Sequence, residues 1–340
     1  MILTVAIPTY NRNQILRENI QFLLPQLKGR ARLIILDNCS DKPVAETLKD
    51  ILKEFPEVEC KIVRHNFIIG AMANILRCFE YCETEWLWIL GDSKKVKPDA
   101  VETICKHIDS YPDCIFFNFS APNAVNPARK RVILTKGREE FIYNIDSFGN
   151  LILLGASVYR VNALLPVLKF SYHYSYASVH AIASLLAVLG DNKICCFSNE
   201  QIVIVGEPLP RSQQWSIVNA ALGFSTLLDM PLEPRTRKEL AKKIVGTPLE
   251  FPSFYGLFLQ LLLLAIREKN VEGAIYYFDQ ICYRRFYFDR RISRRIEILV
   301  LRFLLRFPQV SCKLGALAYK LLRGRDLNLE SDLQDLTQRL

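Results

Sequence analysis

The sequence predicts an α/β fold: a mostly parallel, Rossmann-like sheet with helices on both faces, followed by an all-helical C-terminal region. Three observations carry this. Short apolar runs alternate with segments of helical periodicity from Thr4 to Phe119. Each of the first four runs ends in a polar loop. Beyond Pro208-Leu209-Pro210 every segment reads as helix. The 340 residues therefore divide into residues 1–210 and 211–340, a length that suits one large domain or two of ordinary size.

Thr4 to Pro8 reads as a buried strand, and Gln14 to Leu27 as a helix with apolar positions at Ile15, Leu16, Ile20, Leu23 and Leu24. Leu33 to Leu36 is a second strand, Val44 to Phe55 a helix and Cys60 to Val63 a third strand. Ala71 to Cys82 is helical, Trp86 to Leu90 is a fourth strand, and the helix Asp99 to Ser110 leads into Ile115 to Phe119. Short strands separated by helices of this length indicate parallel pairing with helical crossovers. From about Asn150 the alternation fades. Leu151 to Tyr159 is apolar around Gly155-Ala156-Ser157, Ser175 to Leu189 reads as a helix, and Ile194 to Val205 is strand-like.

Composition narrows the class. Half the residues are hydrophobic and 23% are charged, which excludes wholesale disorder. The net charge of +9 invites a polyanion: nucleic acid, a membrane surface or a phosphorylated ligand. It is uneven, with +7 on residues 216–340 and +2 on the rest. Ten cysteines are scattered without a CxxC pair, and only four histidines accompany them, so a zinc site has little support. Thiols inside apolar runs act as small hydrophobes, and a reducing cytoplasm fits them. Met1 leads directly into Ile2-Leu3-Thr4-Val5, with neither a basic stretch nor a small-residue cleavage site. The longest strongly apolar stretch, Phe254 to Ile266, is 13 residues with Gln260 inside it. A bilayer span needs about 20. The expectation is a cytoplasmic protein.

In open parallel sheets, ligands bind outside the carboxyl ends of the strands. The residues there are Pro8-Thr9-Tyr10-Asn11-Arg12, Asp37-Asn38-Cys39-Ser40-Asp41, His65-Asn66 and Gly91-Asp92-Ser93-Lys94-Lys95. Asp, Asn, Ser and Thr favour turns and helix caps in any case. Four such loops in succession describe the rim of a cleft. No GxGxxG follows the first strand and no GxxxxGK[ST] occurs, which argues against a dinucleotide fold and excludes a P-loop ATPase.

These loops resemble those of glycosyltransferase family 2, inverting enzymes with the GT-A fold. Val5-Ala6-Ile7-Pro8-Thr9-Tyr10-Asn11-Arg12 is similar to that family's first strand and loop, and Leu36-Asp37-Asn38-Cys39-Ser40 to its second. Asn66-x-x-x-Gly70-x-x-x-Asn74, followed by Trp86-Leu87-Trp88-Ile89-Leu90-Gly91-Asp92, resembles the abequosyltransferase-like branch of polysaccharide assembly. The resemblance covers about residues 1–210. It implies that Pro8, Thr9 and Tyr10 frame the donor nucleobase and that Asp37 accepts a hydrogen bond from a base N–H. It also carries Arg12, Asn66, Asn74, Arg77, Asp92, Ser93 and Lys94 over as donor-binding residues. Asn74 and Arg77 are equally readable as helix-surface residues.

Two departures from the family's pattern matter. Members carry a DxD-type motif whose carboxylates hold a divalent metal on the donor diphosphate, and here the run is Gly91-Asp92-Ser93-Lys94. Mn²⁺ or Mg²⁺, if either binds, has Asp92 as its carboxylate ligand; a serine hydroxyl is a poor substitute for a second. Either Lys94 neutralises the diphosphate in the metal's place, or donor binding has decayed. No Glu-Asp pair follows between Leu153 and Leu189 to supply a catalytic base. The titratable candidates are His173 and His180, and the related branch has a histidine at the place of His180. Asp92 and His180 are thus the expected catalytic residues, with His180 alternatively a buried, satisfied histidine. His65 and His107 read as structural, and Asp191 as a turn.

Between Tyr283 and Arg325 stand 12 Lys/Arg against Asp289 and Glu297. Helical projection puts Arg291, Arg294, Arg295, Arg302 and Arg306 on one face, and Ile292, Ile296, Val300, Phe303 and Leu304 opposite. Such a helix either meets an anionic membrane surface or packs its apolar face on its own domain. No nucleic-acid-binding motif is present. The resemblance implies transfer of a hexosyl- or deoxyhexosyl-type sugar from a nucleotide-diphosphate donor to a glycan or lipid-linked glycan. The reaction would serve O-antigen or capsule synthesis, in the cytoplasm or at the cytoplasmic face of the membrane. The alternative is an inactive relative acting as a scaffold of a polysaccharide-assembly complex. A nucleotidyltransferase fits less well, because its glycine-rich phosphate loop is missing.

Overall fold

The computed structural model describes residues 1–122, 127–177, 179, 181–204, 217–246, 254–267, 269–288 and 291–323. The chain forms two compact units, Met1–Ser212 and Gln213–Leu340.

In the first unit, parallel pairing begins at once. β1 (Leu3–Thr9) is buried along its whole length, α1 (Asn13–Leu27) returns over the sheet, and β2 (Ala31–Asp37) pairs parallel to β1 from Leu3↔Ala31 to Thr9↔Asp37. α2 (Val44–Lys53) leads to β3 (Cys60–Arg64) beside β2, and α3 (Ala71–Tyr81) to β4 (Trp86–Ile89) on the other side of β1. α1 buries Leu16, Ile20, Leu23, Leu24 and Leu27, one stripe at helical spacing. A short β5 (Lys95–Val96) precedes α4 (Ala100–Ser110) and β6 (Cys114–Asn118). Then follow β7 (Ile133–Lys136), α5 (Gly137–Asn144), α6 (Phe148–Ile152), β8 (Ser157–Arg160), α7 (Val161–Leu164), α8 (Leu168–His173), α9 (Ile182–Val188), β9 (Ile194–Phe197) and β10 (Val203–Ile204). The eight-stranded order is β3-β2-β1-β4-β8-β6-β9-β7, and β10 pairs with β5 apart from it.

Two local differences from the sequence reading have physical causes. The apolar run at 151–159 is a helix end plus the antiparallel strand β8, inserted between β4 and β6. Gly155 makes the turn between them at φ +101°, its carbonyl accepts the Trp88 indole N–H at 2.8 Å, and a Cβ there would lie 2.8 Å from Val203 Cγ1. The helix expected over 175–189 is instead a 3₁₀ turn at Ser175–Ala177 and the shorter α9. A Ser171–Ser184 hydroxyl bond of 2.7 Å, with Ser184 Oγ donating to the Val167 carbonyl, ties α9 to the segment before it. All ten cysteines are free thiols, and burial pushes those of Cys114 and Cys196 up to about 12.

Among the described residues the second unit has helices and no strands: α10 (Ile217–Thr226), α11 (Pro234–Gly246), α12 (Phe254–Arg267), α13 (Val271–Phe288), α14 (Ile292–Leu305) and α15 (Pro308–Arg323). Its core includes Leu261, Phe278 and Ile281. α14 packs through Ile298, Leu301 and Leu305, while Ile292, Ile296, Val300 and Phe303 of the projected apolar face are exposed. The helix thus packs on its own unit through a face other than the projected one. Among the projected arginines, Arg302 makes a bidentate contact with Asp279 of α13 at 2.7 and 2.9 Å, and Arg294 reaches Glu297. No described helix is long and apolar enough to cross a membrane.

Candidate active site

Because β3, β2, β1 and β4 are parallel neighbours, the loops after them leave the same edge of the sheet. Backbone bonds extend the ladder into these loops: Asn38 N–H to the Thr9 carbonyl at 2.9 Å, His65 N–H to the Asp37 carbonyl at 2.9 Å, and Leu90 N–H to the Ala6 carbonyl at 2.9 Å. Asn11 turns the first loop at φ +51°, a conformation asparagine tolerates better than most residues. Its backbone N–H donates to Ser40 Oγ at 3.0 Å, and its side chain exchanges bonds with Asp41 at 3.1 and 2.8 Å. The first two loops are thus braced before any ligand arrives.

Asp92 is the focus where the first and fourth loops meet. It is 8% exposed, accepts the Thr9 hydroxyl at 2.9 Å and the Arg12 guanidinium at 3.2 Å, and its backbone carbonyl accepts the Asn19 amide from α1 at 2.9 Å. Burial raises its carboxyl above the ordinary range, while Arg12 and Thr9 pull the other way. Lys94 follows a turn closed by its own N–H on the Gly91 carbonyl at 2.9 Å. Its ammonium is lowered below the ordinary lysine value, first by burial and then by Arg12, with Asp92 opposing. Two cations and one carboxylate therefore share a partly desolvated corner, an arrangement that leaves it a net positive charge. Ser93 is half-buried beside them and Lys95 is exposed.

Asp37, expected to accept from a base N–H, is bonded within the protein through both carboxylate oxygens. It is 1% exposed, and its oxygens accept the Ser40 N–H at 2.8 Å, the Val44 N–H at 3.2 Å and Arg64 at 2.8 Å. Val44 opens α2, so the carboxylate caps that helix from seven residues upstream. Burial alone would raise its carboxyl; the bonds from Ser40, Val44 and Arg64 outweigh it and hold it below the ordinary range. Asn74 is 2% exposed, its amide donating to the Leu36 carbonyl at 3.0 Å and its oxygen meeting His65 Nε2 at 2.9 Å. It locks the ends of β2 and β3 to α3 rather than lying on the helix surface. Tyr10 and Asn66 are exposed on the rim, and Pro8 and Thr9 are buried. Arg77 bonds Glu80 at 3.2 Å and lies over the Tyr81 ring.

His180 lies outside the described residues. His173 is exposed and set edge-on to Tyr174. His107 is held by the Thr103 carbonyl at 2.9 Å and Ser198 Oγ at 2.8 Å, as a structural histidine would be. Sequence reasoning missed Asn19 and Arg64. Asn19 sits on the same helix as the core stripe and gave no motif; Arg64, the last residue of β3, stands one place before the loop that was singled out.

The donor set of the fourth loop does not fit a divalent ion. It offers one carboxylate, already engaged by Thr9 and Arg12, a serine hydroxyl and an ammonium. Among the described residues no three His, Cys, Asp or Glu side chains gather as a metal-binding group.

Residues 4–163 match the family model described as Glycosyl transferase family 2. No curated protein matches the sequence. Among solved structures, S. aureus TarS 1-349 in complex with UDP-GlcNAc is similar with a TM-score of 0.61 at 14% identity, covering 92% of this chain and 88% of that one. The same protein in complex with UDP gives 0.60 at 15% identity, and TarS 1-349 alone 0.59 at 15%, each over 92% of this chain and 88% of the other. Likeness at such identity speaks to the fold, and the sheet order with its parallel core agrees with it. The chain is thus built on a GT-A fold, and its residues 4–163 are similar to glycosyl transferase family 2.

Proposed function

We propose that the protein is an inverting glycosyltransferase that moves a hexosyl- or deoxyhexosyl-type sugar from a nucleoside-diphosphate donor to a hydroxyl of a glycan or lipid-linked glycan. Synthesis of O-antigen or capsule, at the cytoplasmic face of the membrane, is the setting this reading assigns. The observation that carries it is the Thr9–Asp92–Arg12 cluster with Lys94 beside it, at the carboxyl edge of a parallel sheet. UDP-sugars are the first donors to try, since the similar TarS was solved with UDP and UDP-GlcNAc.

In this reading the acceptor oxygen attacks the anomeric carbon as the bond from that carbon to the diphosphate oxygen breaks, inverting the centre. The developing charge on the leaving nucleoside diphosphate is met by Arg12, which Asp92 holds and Thr9 backs, and by Lys94 beside them. Pre-set cations need no reorganisation during the reaction, so they serve where a metal would otherwise be needed. Pro8, Thr9 and Tyr10 line the base, with Asn66 on the rim. Asp37, Arg64 and Asn74 act by fixing the loops. The acceptor proton passes to His180, a role assigned on sequence grounds, for which an imidazole has a suitable pKa.

The test is release of nucleoside diphosphate from a panel of UDP-, dTDP-, GDP- and CDP-sugars in the presence of lipid-diphosphate-linked glycans. Turnover in EDTA that disappears in Arg12→Gln and His180→Gln supports the reading. A steep, saturable requirement for Mn²⁺ overturns the cation assignment. Donor binding without turnover for any acceptor moves the protein to the scaffold role.

A further inference from the structure

We propose that α14 and α15 form a docking face for an anionic lipid bilayer. The exposed stripe of α14 does not end with that helix. Phe307, in the connection, stacks near Phe303 at 5.5 Å between ring centroids, and Val310, Leu314, Leu317 and Leu321 continue along α15, every one of them half exposed or more. From Ile292 to Leu321 the exposed apolar positions recur every three or four residues, the spacing that keeps one side of a helix apolar. Among the described side chains the buried ones lie apart from this stripe: Ile298, Leu301 and Leu305 on α14, and Ser311 on α15. Among the described residues nothing buries the stripe, and its length exceeds the scattered apolar residues of ordinary surfaces.

Charge decides the occupant. Residues 291–323 hold eight Lys/Arg and a single acidic residue, Glu297, which is already bonded to Arg294. At about 100° per residue, Arg295, Arg302 and Arg306 run along one border of the α14 stripe, and Lys313 borders that of α15 in the same rotational sense. Arg302 is spent on Asp279, whereas Arg306 and Lys313 are exposed. A second copy of the chain laid on this face would set like charge against like. An anionic bilayer offers what both parts of the surface require: headgroup charge for the basic border, and an acyl boundary into which isoleucine, leucine and phenylalanine side chains insert. This inference does not depend on the donor site and survives its failure.

The experiment is co-sedimentation of the full chain with phosphatidylcholine vesicles, with and without about 30% phosphatidylglycerol as the anionic lipid. The protein should pellet with the anionic vesicles only, and less as salt rises. Phe303→Asp with Leu314→Asp should weaken binding at least tenfold; Arg306→Gln and Lys313→Gln should each weaken it about fivefold. Circular dichroism and nucleoside-diphosphate binding should stay as in the parent chain. Failure to pellet, or equal pelleting with neutral vesicles, overturns the proposal. So does a dimer in lipid-free light scattering that the two aspartate substitutions dissociate, because that result assigns the face to a second copy.

Discussion

Replacing Asp37 by alanine separates a carboxylate that reads the donor from one that builds the loops. The substitution strands the Ser40 and Val44 N–H groups at a position 1% open to water. A buried donor left without a partner costs about 1–3 kcal/mol. Arg64, 37% exposed, can turn to solvent and adds little. The sum is about 2–6 kcal/mol. Asp37→Asn should cost less, about 1–3 kcal/mol, since the amide oxygen still accepts one N–H while its NH₂ group confronts the other donors. Urea denaturation followed by tryptophan fluorescence measures this, because Trp86 and Trp88 are both buried in β4 of the same unit. The pH dependence carries a sign. Asp37 is held below the ordinary carboxylate value, so its contribution is complete above about pH 4 and is lost as pH falls through the folded value. The gap between parent and Asp37→Asn should therefore close in acid. A cost under about 0.5 kcal/mol for Asp37→Ala, with nucleotide binding abolished, would refute the structural role and restore the base-reading one.

Asn74→Ala should destabilise by about 1–3 kcal/mol in the same urea assay, since it leaves the Leu36 carbonyl and His65 without their partner. Arg12→Gln and Lys94→Met should each weaken nucleoside-diphosphate binding about tenfold by calorimetry. Since burial lowers the Lys94 pKa and its charged form is the one required, turnover should fall as pH rises, on an alkaline limb below the ordinary lysine range; Lys94→Arg should remove that limb from the pH profile. Gly155→Ala combines φ +101° with a Cβ 2.8 Å from Val203 and should cost about 2 kcal/mol or more, read as a shifted urea midpoint.

The first four strands and their helices were legible because each is short, apolar and bounded by turn residues, and because β1 and β4 are buried on both faces. β8 was not: an antiparallel strand reached through a glycine turn has the same apolar composition as the helix end before it. The loops were found as a group, since position after a parallel strand suffices to mark them. The division of labour among them was hidden. Whether an Asp such as Asp37 meets ligand or backbone depends on which N–H groups come near, and Val44 supplies one only because α2 begins where it does. Asn74 was open between surface and site, and its contact with His65 depends on a pairing across the sheet edge that spacing does not encode. On α14 the projection set Ile292, Ile296, Val300 and Phe303 opposite the arginines, yet the residues that pack, Ile298, Leu301 and Leu305, lie on the arginine side at about 100° per residue.

The central claim is that Arg12, steadied by Asp92, and the neighbouring Lys94 receive a nucleoside diphosphate without a metal. Isothermal titration of the full chain with UDP, dTDP, GDP and CDP, first in EDTA and then with Mn²⁺, tests it most directly. The account predicts saturable binding of one nucleotide in EDTA, unchanged within about twofold by Mn²⁺ and weakened about tenfold in Lys94→Met. Binding that appears only with Mn²⁺, or no binding of any of the four, would contradict it.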